Sequence, residues 1–252
     1  MSIGLFAYLL FGGILGGLLS TIASMASLAT YPFLLSAGIP PVYANTTNDA
    51  ALIWGGVGST VASLKELSGH WKQVWFYSIF TVVGTALGCF LLINFPGEVF
   101  EKIVPFCIAF SGITILFSGK VNMSVQDDDT NNWLKVLSLV SILIVGIYAG
   151  YFGAASGVLL LVILNFITED DFLTVNAMKN LIGGLSSLVA LLIYMFTEKI
   201  YWLAAIPMAI GVLIGSFLGP KIIRHIPVKI IRITIASLAL IQAGYFAYTA
   251  YR

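Results

Sequence analysis

The chain has 252 residues, of which 59% are hydrophobic and only 9% are charged. A soluble domain carries about 25% charged residues, so this composition excludes a soluble fold and predicts a protein that lies within a lipid bilayer. The formal net charge of +1, together with a sequence that has no basic run, excludes nucleic-acid binding. The longest polar stretch, residues 118–132, is too short to fold as an extramembrane domain.

Polar residues divide the chain into eight hydrophobic segments. They are residues 3–37, 42–64, 74–93, 103–117, 133–167, 172–196, 200–223 and 228–251. The first segment lacks the basic residues that precede the apolar part of a signal peptide, so we interpret it as a membrane helix. The predicted fold class is an all-α integral membrane protein with about eight hydrophobic segments.

The first and fifth segments are each about 35 residues long, which is too long for one straight helix across a bilayer. Each has a cluster of small or hydroxyl residues near its middle, at residues 20–27 and at residues 150–157. Glycine weakens a helix, and serine can satisfy the backbone groups that a break sets free. We therefore predict that both segments are broken near their middles.

Five landmark residues recur at a spacing of 131 residues, which predicts an internal repeat. The pairs are Asn45 and Asn176, Trp71 and Trp202, Gly84 and Gly215, Gly88 and Gly219, and Pro96 and Pro227. The two breaks superpose at a spacing of 130, with residues 23–32 on residues 153–162. We predict a first transmembrane repeat (residues 1–120), a polar inter-repeat loop (121–132) and a second transmembrane repeat (133–252). Such halves are typical of secondary transporters, whose substrate site lies near the midplane between the repeats.

Basic residues are concentrated in one loop, which we predict to be cytoplasmic. They are Lys221, Arg224, His225, Lys229 and Arg232. If every segment crosses once, both termini lie outside and the halves are parallel. If the broken segments turn back as hairpins, the repeats are inverted, and Lys65 and Lys72 in another short loop favour this second arrangement. The sequence leaves both arrangements open.

Two ionisable residues, Asp49 and Lys179, lie well inside hydrophobic segments. Each costs about 2.5–3.5 kcal/mol to insert, so each is a functional hypothesis. At the repeat spacing the polar strings NTTND (residues 45–49) and NAMKN (residues 176–180) occupy equivalent places. We expect both strings to face one shared cavity.

Asparagine amides, hydroxyl groups and a lysine are the groups that bind an anion, and half-helix N-termini add unpaired N–H groups. The candidate substrate-binding residues are Asn45, Thr46, Asn48, Asn176, Lys179 and Asn180, with Ser24, Ser27 and Ser156 at the breaks. Asp49 is also a candidate carrier of a coupling proton. The alternative is that Asp49 and Lys179 form a buried ion pair while the asparagines hold helices together.

The remaining features predict structure, not chemistry. No nucleophile, base and acid stand at catalytic spacing, and Cys89 and Cys107 lack ligand spacing, so we expect no enzyme, no cofactor and no metal site. The glycine pairs at residues 84 and 88 and at residues 215 and 219 predict close helix packing. His70 is interpreted as an interfacial anchor, and the acidic run at residues 169–171 as a solvated turn.

Several motifs carry a resemblance to a known family. They are ASMASLATYP (residues 23–32), the turn GIPP (residues 38–41) that leads into ANTTN, the polar loop at Trp71, the glycine-rich third segment, and FGAASGVLLLV (residues 152–162). Over nearly all of both halves the chain resembles the TauE/SafE sulfite exporter, or anion permease, family. The resemblance implies duplicated multi-span halves that move small sulfur-containing anions such as sulfite or organosulfonates. The first break departs from the family pattern, because Ala23, Ser24, Met25, Ala26 and Ser27 replace a mostly glycine string.

We therefore expect a permease for a small anion, a sulfur oxyanion or organosulfonate, that works by alternating access at the repeat interface. The expected location is a prokaryotic cytoplasmic membrane. The expected partners are the anion, a coupling proton or sodium ion, the lipid bilayer and, as an open option, further copies of the chain. Two alternatives remain: a cation or metal carrier that uses Asp49, and a membrane assembly protein that transports nothing.

Overall fold

The computed structural model describes residues 2–94, 132–151, 153, 156–168, 170–197 and 199–250, with the single positions Phe106, Ala109 and Ile113. All regular structure in these residues is helical. The helices are α1 (Ile3–Ala23), α2 (Ser27–Ser36), α3 (Pro41–Ala62), α4 (Leu64–Leu67), α5 (Trp71–Asn94), α6 (Asn132–Tyr151), α7 (Ser156–Ile167), α8 (Phe172–Thr197), α9 (Trp202–Ile223) and α10 (Val228–Ala250). Apart from the three single positions and Asn132, the fourth predicted segment and the inter-repeat loop lie outside the described residues.

The first long segment is a helical hairpin made of α1 and α2. At the turn, Ser24 takes a left-handed conformation with φ of 60°, and the Met25 N–H donates to the Leu19 carbonyl at 3.2 Å, which closes the end of α1. The second helix then runs back along α1, because Thr30 lies over Gly16 and Phe33 over Gly12. Helix α2 therefore ends on the side of the membrane where α1 begins. We call this side, where α3 also begins, the Pro41 face.

Helix α3 crosses from the Pro41 face to the opposite side, where α5 begins, which we call the His70 face. Helix α9 runs parallel to α3, since the Tyr201 N–H at its start donates to Thr47 Oγ1 at 3.1 Å and Arg224 at its end binds Glu66. It also runs parallel to α1, with Gly17 against the backbone of α9 one turn further along than Gly13. All three helices therefore point toward the His70 face.

Helices α6 and α7 form a second hairpin that enters from the opposite side. Helix α6 runs parallel to α5, because Gly84 abuts α6 at Leu143 and Gly88 abuts it one turn later at Ile147. It therefore begins at the His70 face, and α7 must return there, because the segment that follows α7 reaches the α5 start. The two hairpins thus enter the protein from opposite faces.

The link at the His70 face includes a contact that the sequence did not predict. His70, predicted as an interfacial anchor, lies 2.9 Å from Asp170 through its Nε2 atom, and Asp170, predicted in a solvated turn, has a side chain that is only 20% exposed. This pair sets the start of α8 at the His70 face. Helix α8 ends at the Pro41 face, where Thr46 donates to the Lys199 carbonyl at 3.0 Å.

The glycine pairs lie at close helix contacts, as the sequence predicts. A Cβ at Gly84 or Gly88 would meet the backbone of α6, and a Cβ at Gly215 would meet the backbone of α1. Glycine is required at these points because two backbones touch. These contacts confirm that both glycine pairs are packing surfaces.

Among the described residues, α1, α5, α8 and α9 are long and apolar enough to span a membrane. Exposed apolar side chains recur about every four residues along α5 and α9, in one stripe on each helix. The stripes are Trp75, Ile79, Val83 and Leu87 on α5, and Ile206, Ile210, Ile214, Leu218 and Ile222 on α9. The opposite sides of both helices are buried and carry glycine and serine, with threonine on α5 as well. This arrangement suits lipid outside and polar packing inside, so the protein is a multi-pass membrane protein.

Candidate anion site between two helical hairpins

A cavity of about 130 Å³ lies where the two hairpins meet. Its wall is formed by both hairpin turns and by the facing sides of α3, α5, α6 and α8. One water needs about 10–15 Å³ of such space, so the cavity has room for a small polyatomic solute. The turns touch each other here, because a Cβ at Gly157 would lie 3.0 Å from the Ser24 Cβ.

Two half-helices direct their N-termini at the cavity. Helix α2 begins at Ser27 and α7 at Ser156, and both serines line the wall. The residue before α2 is Ala26, which supplies no side-chain cap for the first-turn N–H groups. An uncapped N-terminus carries a partial positive charge and N–H groups ready to donate, which are the properties of an anion site.

Lys179 and Asn180 of α8 add donors at one end of this cavity. Lys179 is 3% exposed, and its Nζ donates to Ser24 Oγ at 2.7 Å and to the Ser20 carbonyl at 3.3 Å. A lysine ammonium has three donors, so one N–H remains for a solute. Asn180 is 7% exposed, and its Nδ2 has no hydrogen-bond partner among the described residues. A buried donor without a partner is costly, and a bound oxyanion would satisfy it.

Asp49 lines the same cavity but does not pair with Lys179. Among the described residues, basic and acidic side chains approach within 4.0 Å only at His70 and Asp170 and at Arg224 and Glu66. The two charges lie on opposite sides of the point where the antiparallel helices α3 and α8 touch, at Gly56 and Gly184. Asp49 lies toward the Pro41 face and Lys179 toward the His70 face. The structure therefore does not show the buried ion pair that the sequence left as an alternative.

The sequence-predicted residues divide into two groups. Six of them line the cavity: Ser24, Ser27, Ser156, Asp49, Lys179 and Asn180. Asn48 lies just behind the wall, with its Nδ2 donating to Ser27 Oγ at 3.1 Å. The side chain of Asn45 lies outside the described part of the chain.

Thr46 and Asn176 do not reach the cavity wall. The Thr46 hydroxyl donates to the Lys199 carbonyl, and Asn176 Nδ2 donates to the Thr21 carbonyl at 3.0 Å. Both side chains therefore connect helices and loops in this structure. Ser156, although it lines the cavity, directs its hydroxyl to the Gly153 carbonyl at 2.9 Å.

Sequence reasoning missed a set of hydroxyl side chains in the wall. They are Ser20, Ser59, Thr81, Thr85, Ser186 and Ser187. A signal was available, since Ser186 follows Lys179 by two helical turns and the two threonines are four residues apart on the face that carries Gly84. The Ser186 hydroxyl is buried and has no partner among the described residues.

The comparison with known proteins identifies the family of this chain. Residues 9–246 match the model of the sulfite exporter TauE/SafE family. The chain belongs to the TauE/SafE family. Membership of this family supports a membrane transporter and not an enzyme.

Relatives that match this TauE/SafE chain over nearly its whole length are named as probable membrane transporters. A "probable membrane transporter protein" of Haemophilus influenzae is 25% identical over 251 residues, which cover 98% of this chain and 96% of the relative. The "probable membrane transporter protein ORF9" of a Sinorhizobium species is 27% identical over 94% of this chain and 90% of its own length. The "probable membrane transporter protein YfcA" of Escherichia coli K12 is 23% identical over 98% of this chain and 91% of its own length. No solved structure matches the chain significantly.

Proposed function

We propose that this protein is a secondary transporter for a small anion, a sulfur oxyanion or organosulfonate, and that it works by alternating access in a prokaryotic cytoplasmic membrane. The observation that carries the proposal is the cavity at which two half-helix N-termini, Lys179 and the unpartnered Asn180 amide converge. Each of these groups is a donor or carries positive charge. A negatively charged acceptor is the solute that complements them.

The shape of the donor set favours an oxyanion. The donors come from α2, α7 and α8, so they approach the cavity from several directions. A sulfite or sulfonate group presents three oxygens around one sulfur and can accept from all of these directions at once. Hydrogen bonds to a charged group contribute about 1.5–3 kcal/mol each, and several are needed to offset the loss of the anion's hydration.

We also propose that the two halves, residues 1–120 and 133–252, are inverted repeats. The hairpins enter from opposite faces, which supports this relation. Equivalent landmarks open equivalent helices, since Trp71 and Trp202 begin α5 and α9, while Ser27 and Ser156 begin α2 and α7. The serines are 129 residues apart, one residue less than the spacing that aligned the breaks in the sequence.

The two membrane faces are held by different contacts, which alternating access would open in turn. On the Pro41 face, Thr46 and Thr47 hold the loop between α8 and α9 by neutral hydrogen bonds. On the His70 face, His70 Nε2 contacts Asp170 at 2.9 Å, and Arg224 forms an ion pair with Glu66. The loops that contain Lys65 and Arg224 both lie on the His70 face, so the positive-inside rule supports a cytoplasmic position for that face.

Flux into proteoliposomes of the purified protein tests this function. The panel is sulfite, thiosulfate, sulfate, methanesulfonate and a carboxylate. We expect saturable flux of a sulfur anion, and we expect Lys179→Met to lower kcat/KM by about 10- to 100-fold, because it removes a charged donor. Lys199→Met is the matched control, since Lys199 is exposed at the Pro41 face. No flux of any anion by folded protein would contradict the proposal and favour a non-transporting assembly protein.

A further inference from the structure

The cavity has two chemically different ends, divided by the contact between Gly56 and Gly184. Lys179 and Asn180 lie on the side toward the His70 face. Asp49 lies on the side toward the Pro41 face, and Ser186, which follows Gly184 along α8, lies on that same side. Each end also has one buried polar atom without a partner among the described residues, Asn180 Nδ2 at the first and Ser186 Oγ at the second.

The charged side chains of the cavity wall have a net charge of zero only while the cavity holds no ion. Of the described residues that line it, Asp49 and Lys179 are the charged ones, and no ion pair joins them. A monoanion bound at the Lys179 end satisfies the lysine and leaves the Asp49 carboxylate as an uncompensated negative charge. Such a charge is costly at membrane depth. A bound monovalent cation at the Asp49 end restores neutrality.

The polar groups that line the cavity on the Asp49 side of the glycine contact suit a small cation. The Ser186 hydroxyl supplies an oxygen that can accept a hydrogen bond from a protonated carboxyl group or coordinate a metal ion. The other titratable side chains near this end are Cys89 of α5 and Tyr194 of α8, which pack together, and Tyr194 donates its hydroxyl to the Gly150 carbonyl at 2.6 Å. Lys179 is held on the far side by Ser24. Asp49 is thus the group at this end that offers a negative charge.

We propose that the Asp49 end is a subsite for a proton or sodium ion that is co-transported with the anion, one cation for each monoanion. The inference rests on the proposed anion transport and adds a second, separate subsite to it. With a proton, a new O–H bond forms on the Asp49 carboxylate and breaks when the proton leaves on the other side. With sodium, an Asp49 oxygen and Ser186 Oγ coordinate the ion.

Membrane potential gives a direct test, with methanesulfonate as the probe because it is a monoanion at every working pH. In proteoliposomes of wild type, an inward proton or sodium gradient drives uptake, and an imposed potential has no effect because the loaded cavity is neutral. Asp49→Asn removes the cation subsite, so the anion moves alone with its charge. A potential of about 100 mV, positive inside, then changes its accumulation about 50-fold. Separate proton and sodium gradients identify the ion.

Two further variants complete the test. The control variant is Asp171→Asn, which makes the same carboxylate-to-amide change at an exposed position at the start of α8. Asparagine can also cap this helix, so we expect the control to behave as wild type. Ser186→Ala raises the sodium concentration for half-maximal flux in the sodium case only. If Asp49→Asn moves no anion, methanesulfonate binding decides: binding that no longer depends on pH or sodium supports the subsite, and binding that keeps this dependence overturns it.

The failures of the two proposals are distinguishable. The cation subsite is overturned if wild-type flux follows the membrane potential as the variant's does. It is also overturned if the cation gradient still drives uptake by Asp49→Asn. In both cases anion transport itself stands. An absence of methanesulfonate and other anion flux in wild type overturns the proposed function itself.

Discussion

Adjacent glycines in α8 allow stability and transport to be separated. A Cβ on Gly184 would lie 2.8 Å from the Gly56 Cα, and a Cβ on Gly56 would lie 2.5 Å from the Gly184 Cα. Ordinary contacts begin at 3.4 Å, so α3 and α8 must separate by about 0.6 Å in Gly184→Ala and by about 0.9 Å in Gly56→Ala. Gly183 also lines the cavity, but a Cβ there would meet nothing within 4 Å.

The expected energies follow from these distances. Alanine in place of a helical glycine gains about 0.5–1 kcal/mol, and forcing two backbones apart costs about 1–3 kcal/mol. Gly183→Ala should therefore be neutral or more stable than wild type, Gly184→Ala less stable than Gly183→Ala by about 1–3 kcal/mol, and Gly56→Ala the least stable. Because the Gly183→Ala methyl occupies space at the cavity wall, this variant should also transport more slowly without losing stability.

Equilibrium unfolding in mixed micelles of rising SDS content measures the three stabilities, and anion flux into proteoliposomes measures transport. The order of the three variants is the decisive result. Equal stability of Gly183→Ala and Gly184→Ala would refute the close contact between α3 and α8. A Gly183→Ala variant with normal flux would show that this part of the wall does not limit the solute.

Three further predictions concern contacts outside the cavity. Asn176→Ala removes a buried hydrogen bond to the Thr21 carbonyl, so it should lower the unfolding free energy by about 1–2 kcal/mol and leave the KM for the anion unchanged. Tyr194→Phe removes the hydrogen bond to Gly150 and should cost about 1 kcal/mol in the same SDS titration. The hydrogen bond from Arg224 holds the pKa of the Glu66 carboxyl below its ordinary value of 4.5. The pair therefore stabilises the fold above that value and loses its effect as the pH falls through the folded pKa, so thermal unfolding should separate Glu66→Gln from wild type near neutral pH and not in acid.

Hydrophobic length and small-residue clusters were sufficient to predict the helical membrane fold and the position of the first break. The segment at residues 3–37 is too long for one crossing, and its break lies between Ala23 and Ser27, inside the predicted cluster. The direction of the second half-helix could not be predicted in the same way. It depends on Thr30 and Phe33 packing onto Gly16 and Gly12, which is a contact within the hairpin that hydropathy does not encode.

The candidate site was predicted in part because a buried charge is conspicuous in an apolar segment. Asp49 and Lys179 were found by this signal, and both line the cavity. Thr46 and Asn176 belong to the same polar strings but point elsewhere, because successive residues of a helix face different directions. The strings occupy one turn or more, so only part of each can face a given cavity.

The two hairpin turns have different residues in the left-handed conformation, and this difference bears on the charge of the cavity. The second turn has Gly153 in a left-handed conformation with φ of 73°, which glycine adopts without steric cost. The first turn places Ser24 in the same conformation, which is uncommon for a residue with a side chain.

The Ser24 hydroxyl provides a reason for that cost, since it accepts a hydrogen bond from Lys179 Nζ at 2.7 Å. The position that the proposed repeat aligns with Lys179 is Asn48, an uncharged residue that donates to Ser27 instead. A serine in a strained turn and a lysine in α8 therefore belong together. They give one end of the cavity a positive charge that a pair of identical halves could not produce on one side alone.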